Sequence, residues 1–340
     1  MPSTSTFNTQ YLKTIGIVNN GYNGRGFANP YDLAVSEEGN LFVLNRCDPA
    51  RRSAIRVGVC NLDEDYLFEF GFGFGDGDGQ MVWPVGIEFD KNSRALVSDE
   101  HNNRITIYSS EGQYLSHWGT AGENPGEFQG PAGMAVTEDN VVFISDQKNH
   151  RIQQYTPDGN FIAQWGSYGS DEGQFNLPWG ITFDAQERLY VSDWRNDRIQ
   201  VFTRDGKFLD TIGLSGSGEG ELSRPSSVAV DRRGDVYVAD WGNERVQVFN
   251  NEGAFKFSLR GEATLSQWAI EFFESNPDEM EQREISELLP EIPDHLSSPH
   301  HVSSQTESFF WGPVSVVIDQ NDLLYVVESN RHRVQVYKIC

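Results

Sequence analysis

Asp99, Asp146, Asp193 and Asp240 stand 47 residues apart, and Arg104, Arg151, Arg198 and Arg245 keep the same step. Glu328 and Arg333 form a fifth pair further on. Carboxylate–guanidinium pairs can bind charged substrates or shuttle protons. A pair that recurs in every copy of a repeat is better read as scaffolding: the carboxylate takes backbone N–H groups from the following turn and the guanidinium clamps it bidentately. Chemistry is therefore sought where the copies differ. Just before the arginine they read Asn103, His150, Asp197, Glu244 and His332. After the proline that opens each copy stand Tyr31 in one and Trp179 in another, with Asp32 following Tyr31. Trp194 and Trp241 follow the strand-end aspartates. Tyr31, Asp32, Trp179, Trp194, Trp241, His150 and His332 thus form the candidate ligand-binding set. Aromatic walls with a few carboxylates suit a cationic or cyclic organic ligand, or a peptide. The competing reading is that these rings only fill the narrow end of each repeat.

A metal would have to come from His295, His300 and His301, near Glu291 and Asp294, reaching His150 or His332. Zinc, copper or calcium is the open alternative to no cofactor, because no ligand spacing is enforced. His101 and His117 read as surface residues. No Ser-His-Asp arrangement stands out.

The elements that position these residues follow from the same spacing. Pro84, Pro131, Pro178 and Pro225 keep the 47-residue step. Between Pro178 and Gly213 the chain reads as four short strands of β-branched and aromatic residues, broken by Gly, Asp and Asn. Pro313, Glu328 and Arg333 form a sixth copy after an insertion, and Pro30, Asn45 and Arg56 a looser first copy widened around Cys47, Asp48 and Arg51. The last copy lacks its fourth strand, and Tyr11–Gly16 supplies the missing pattern. A lone four-stranded sheet cannot bury both faces, so such units pack in a closed ring. The expectation is an all-β, six-bladed β-propeller of four-stranded antiparallel blades with three-plus-one closure by the N-terminal strand. Residues 1–10 are expected to be a disordered lead and 11–340 a single domain, with 262–312 a helical insertion between blades five and six. In a six-membered ring Tyr31 and Trp179 lie in opposite blades and face each other across the channel.

Two stretches invite other readings. Gly71–Gly79 has the look of a phosphate or calcium loop, but it aligns with Gly119–Phe128 and Gly166–Phe175, so it is the ordinary connection between blades. In the insertion, Thr264 and Gln267 make a capping box, and Leu265, Trp268, Ala269, Phe272 and Phe273 follow one helix face. Asn276 and Pro277 start a second helix that Ile285, Leu288 and Leu289 continue to Pro290; a loop then runs to Glu307. This segment holds eleven acids and one base, Arg283. Replacing an inter-blade loop, it is expected to lie as a lid over the rim formed by those loops.

The formal net charge of −24 excludes nucleic acid as a general partner and disfavours anionic membranes. The three cysteines (Cys47, Cys60, Cys340) form no disulfide framework, and the N-terminus has no signal-type apolar run. The expected protein is a cytoplasmic monomer with a small-molecule, protein or peptide partner.

Asn149-His150-Arg151, Asn196-Asp197-Arg198 and Asn243-Glu244-Arg245, each after Val/Ile-Ser/Ala-Asp and before Ile/Val-Gln-x-Tyr/Phe, resemble the NHL repeat. The resemblance covers residues 11–340 apart from the insertion, and WD and kelch patterns fit less well. It implies a propeller scaffold shared by ubiquitin-ligase substrate-binding modules, RNA-binding propellers, bacterial sensors and peptidyl-hydroxyglycine lyases. The RNA readers use a basic surface. The lyases hold zinc with histidines after the opening proline, where this chain has Tyr31, Val85, Ala132, Trp179, Ser226 and Val314. The combined expectation is a binding module using its loop-rich rim and channel mouth, with a metal-assisted lyase or hydrolase as the alternative.

Overall fold

The structure is a computed structural model that describes residues 9–19, 21, 24–47 and 54–340. Asp48, Arg51 and residues 1–8 of the expected lead lie outside the described residues; Thr9 and Gln10 already belong to the closing strand.

Six four-stranded antiparallel sheets form the ring. In blade four the strands are Pro178–Phe183, Leu189–Asp193, Arg198–Phe202 and Phe208–Ile212, from the channel outwards. Blades two, three and five repeat this arrangement, and blade one runs from Pro30–Val35 to Tyr66–Phe70. Blade six takes Pro313–Ile318, Leu323–Glu328 and Arg333–Ile339 from the C-terminus and Thr9–Ile15 from the N-terminus. The registers Thr9↔Ile339 and Ile15↔Val334 make the closure the sequence pattern requires. The two middle strands of every blade are buried along their length or nearly so, and the aromatic and β-branched side chains they carry pack between blades.

The connections between blades do more than link. Each buries an apolar plug, Phe27, Met81, Phe128, Phe175, Leu222 or Phe310. Most are pinned by a short parallel bridge, such as Phe74↔Met81 in the glycine-rich run. That run is an inter-blade loop. Gly75 has φ +158° and Gly71 has φ +75°, and a Cβ on Gly71 would lie 2.6 Å from Met81 Cε. The loop thus needs glycine to seat its plug.

The insertion forms three helices: α1 (Gln267–Ser275), α2 (Pro277–Glu284) and α3 (Pro299–Gln305). The sequence reading differs in three places. Ser266, not Thr264, caps α1, its hydroxyl accepting from Ala269 N at 3.1 Å. The second helix stops at Glu284, leaving Ile285 and Leu289 largely exposed. The stretch read as loop contains α3, whose start is Ser298 capping His301 N, with Pro299 in the first turn. Short apolar spacing marks the first helix, whereas the Pro-Asp, Ser-Ser and His-His sequences hide the third.

Candidate functional site

The repeated carboxylate is a scaffold. Asp193 accepts from Arg198 Nε (2.9 Å), Asn196 Nδ2 (2.8 Å), Gln200 Nε2 (3.1 Å) and the backbone N–H of Asn176 (2.7 Å). Arg198 donates onward to the carbonyls of Asp171 and Gln174 in the preceding inter-blade loop. Asp146 with Arg151 and Asp240 with Arg245 repeat the pattern, and Glu328 with Arg333 keeps its ion pair. Burial pushes the carboxyls of Asp146, Asp193 and Asp240 up, and the donors around each oppose this.

The variable residue before the arginine also has a structural role. Asn103, His150, Asp197, Glu244 and His332 all sit at φ of 52–55°, in the left-handed region. Each side chain accepts the backbone N–H of the residue preceding the next blade's proline. Asn103 Oδ1 takes Gly130 N (2.8 Å), His150 Nδ1 takes Leu177 N (3.1 Å) and Asp197 Oδ1 takes Arg224 N (2.7 Å). Glu244 Oε2 takes Gly312 N (2.5 Å) and His332 Nδ1 takes Asn29 N (2.9 Å). The residue types vary because amide, imidazole and carboxylate all accept. His150 and His332 are therefore blade-to-blade braces, and the structure does not place them among the residues lining the mouth cavity. Burial holds the His150 imidazole below its ordinary range, which keeps the accepting nitrogen unprotonated.

His300 is likewise engaged. Its Nδ1 lies 2.8 Å from Glu244 Oε1 and its Nε2 accepts from Trp311 Nε1 at 3.4 Å. Beyond the His300–Glu244 contact, no group of three or more His, Cys, Asp or Glu that could hold a metal forms around His295, His300 and His301 among the described residues.

The aromatic candidates do converge. The Tyr31 and Trp179 rings face each other from opposite blades at 6.3 Å, Trp179 to Trp194 is 5.9 Å, and Trp194 to Trp241 is 6.5 Å. They form an arc across the channel mouth. On the rim side of Tyr31 lies a cavity of about 410 Å³ lined by Asn29, Tyr31, Arg46, Trp241, Ser329 and Asn330. Below Tyr31 and Trp179 the channel itself holds about 400 Å³.

Sequence reasoning missed Arg46. It follows Asn45, in the slot that holds Glu100, Trp194 and Trp241 in other blades, where the tryptophans carry the stronger sequence signal. Its guanidinium carbon lies 4.5 Å from the Tyr31 ring centre and 4.9 Å from that of Trp83. Its Nη2 donates to Glu100 Oε2 at 3.0 Å. Glu100 also holds Lys148 at 3.1 Å. Arg195 and Arg224 lie over Trp194 at 5.2 and 5.4 Å. Tyr31 and Trp194, two of the rings expected to receive a cationic ligand, are thus already faced by the protein's own guanidiniums.

Asp32 lies within the channel. Its Oδ2 accepts Ile87 N (2.9 Å) from blade two and its Oδ1 the Ser315 hydroxyl (2.7 Å) from blade six. Burial pushes its carboxyl up to about 6 against those two donors. Glu88, nearby on the channel wall, is pushed up to about 7 by burial, with the Asp32 charge adding to the rise. Both are half-buried and line the channel.

α1 is wedged in the closing seam: Trp268, 2% exposed, packs edge-on against Phe27 at 5.6 Å and donates Nε1–H to Glu64 O. Glu64 accepts Gln267 N and pairs with Lys13 of the closing strand, and the Ser266 hydroxyl donates to Gly16 O. α3 packs against the Trp241–Asn243 turn, and Arg331 donates to its Ser303 and Ser304 carbonyls.

Residues 128–155 and 310–337 match the NHL repeat model, and residues 180–260 match that of a family of six-bladed β-propellers. The chain is a six-bladed propeller carrying NHL repeats. No curated protein sequence matches it. Among solved structures, virginiamycin B lyase from Staphylococcus aureus is similar over 98% of this chain and 99% of its own, at 12% identity and a TM-score of 0.55. A gluconolactonase from Xanthomonas campestris is similar over 92% of this chain and 87% of its own, at 17% identity and a TM-score of 0.58. These likenesses show the propeller fold. No helix among the described residues is long and apolar enough to cross a membrane.

Proposed function

We propose that this NHL propeller is a binding module whose site is the channel mouth, taking a small ligand or a protein segment against Tyr31, Trp179, Trp194 and Trp241. The observation that carries this reading is the convergence of four aromatic side chains from blades one, four and five on one face, beside a cavity of about 410 Å³. Aromatic rings offer large contact area at low entropic cost, and polar groups at the cavity edge fix orientation. The test is a fragment screen by ligand-observed NMR on the wild type and on Trp179→Ala and Trp241→Ala. Hits that lose roughly tenfold or more in affinity in either variant support the reading; hits untouched by both contradict it.

The second reading is a lyase or hydrolase acting in the channel. It is favoured by Glu88 and Asp32, which hold protons at neutral or mildly acidic pH and so resemble a tuned acid pair. Fold likeness to the two enzymes named above adds only that such scaffolds host catalysis. A turnover lost in Glu88→Gln while mouth ligands still bind would put this reading ahead.

A further inference from the structure

We propose that the mouth cavity is an anion subsite built on Arg46, taking a small planar ligand that bears a carboxylate or phosphate ester. This rests on the mouth being the binding site. The guanidinium lies between the Tyr31 and Trp83 rings, and Nη2 is committed to Glu100. Nη1 is buried and has no hydrogen-bond partner among the described residues. A buried charged donor left without an acceptor is costly, and native proteins rarely keep one without reason. Arg46 lines the cavity, and an oxygen of a bound carboxylate or phosphate supplies the missing acceptor once the guanidinium turns toward it.

The surroundings agree. Asn29 and Asn330 bring amide side chains and Ser329 a hydroxyl to the same cavity, while Tyr31 and Trp241 bring flat apolar faces. Arg195 and Arg224 over Trp194 extend positive charge along the arc. Glu100 is the carboxylate set against this charge, and it is shared between Arg46 and Lys148. A cation entering the cavity meets a resident guanidinium on Tyr31, one of the two rings that would bind it. An anion meets an unmet donor, in a molecule whose overall charge of −24 repels anions elsewhere. The arrangement thus selects by local charge against the global field.

The experiment is calorimetric titration of the full chain with benzoate, phenyl phosphate and benzamidine, at low and moderate salt. Saturable binding of benzoate or phenyl phosphate is expected, weakening with salt, and weakening roughly tenfold or more in Arg46→Met. The tighter of the two anions then tells carboxylate from phosphate. Arg46→Met keeps an apolar chain between Tyr31 and Trp83; if its melting temperature falls, Trp241→Ala serves as the second variant and is expected to weaken the same anion. Binding of benzamidine in preference to both anions, lost in Trp241→Ala, overturns the charge assignment while leaving the mouth as the site. Absence of saturable binding by either anion overturns the inference outright, and hits from the fragment screen then judge the mouth separately.

Discussion

Blades four and one face each other across the channel and solve one structural problem with different atoms. In blade four, Asp193 gathers Arg198, Asn196, Gln200 and Asn176 N into one network that pins the preceding loop. Blade one has Asn45 at that place. Asn45 Oδ1 still accepts Ala28 N at 2.8 Å, but it gives no charge to Arg56. Arg56, fully buried, turns instead to Glu69 on the outer strand at 3.0 Å and to the carbonyls of Asn19, Gly21 and Gly26. The lesson is that the repeat supplies stability redundantly, so one blade can give up its standard pair. The freedom appears where it is useful, because Asn45 is followed by Arg46 at the mouth and the same blade meets the insertion at the seam.

That contrast can be broken from either side. Asp193→Ala should cost the most, about 3–5 kcal/mol, because it leaves the half-buried Arg198 and the amides of Asn196 and Gln200 without their shared acceptor. Chemical denaturation measures it; a loss under about 1 kcal/mol would mean the network is ornamental. Trp268→Ala should follow at about 3 kcal/mol, since it opens a cavity in the seam between the closing strand and blade one. Protection of Thr9–Ile15 amides against hydrogen exchange should fall with it. If protection stays as in the wild type, α1 is not part of the latch.

Third is the channel pair. The folded protein holds protons on Glu88 and Asp32 that the unfolded chain releases near pH 4, so their contribution is full below that pH and is lost as pH rises through about 6 and about 7. Glu88→Gln removes one cost of ionisation. Its stability gain over wild type should be near zero at about pH 4 and grow to about 1–3 kcal/mol by about pH 8. A gain that does not change with pH would show that Glu88 titrates normally. The smallest effect concerns the braces. His150→Ala should cost about 1 kcal/mol by leaving Leu177 N–H unmet, and His150→Asn should restore most of it, because Asn103 makes the same bond in blade two. A brace that only histidine can fill would point back to chemistry at His150.

The ring was legible because period and register are local facts. The 47-residue step, the strand-end carboxylate and the orphan strand Tyr11–Gly16 all survive in the structure. So did the facing of Tyr31 and Trp179, which follows from blade number alone. What the sequence could not show was direction. His150 and His332 look like ligands until their αL backbone aims them at the next blade's N–H. Arg46 looks like one more surface charge until Tyr31 and Trp83 close on it. The insertion's reach was also hidden, since amphipathic spacing tells that Trp268 is buried but not that its burial site is the seam.

The account turns most directly on what occupies the mouth. A crystal structure of the protein with the tightest anionic probe should show its ring against Tyr31 and Trp241 and its charged oxygens on Arg46. Density for the probe on the outer faces of the blades or on α2, with the mouth holding solvent alone, would contradict it.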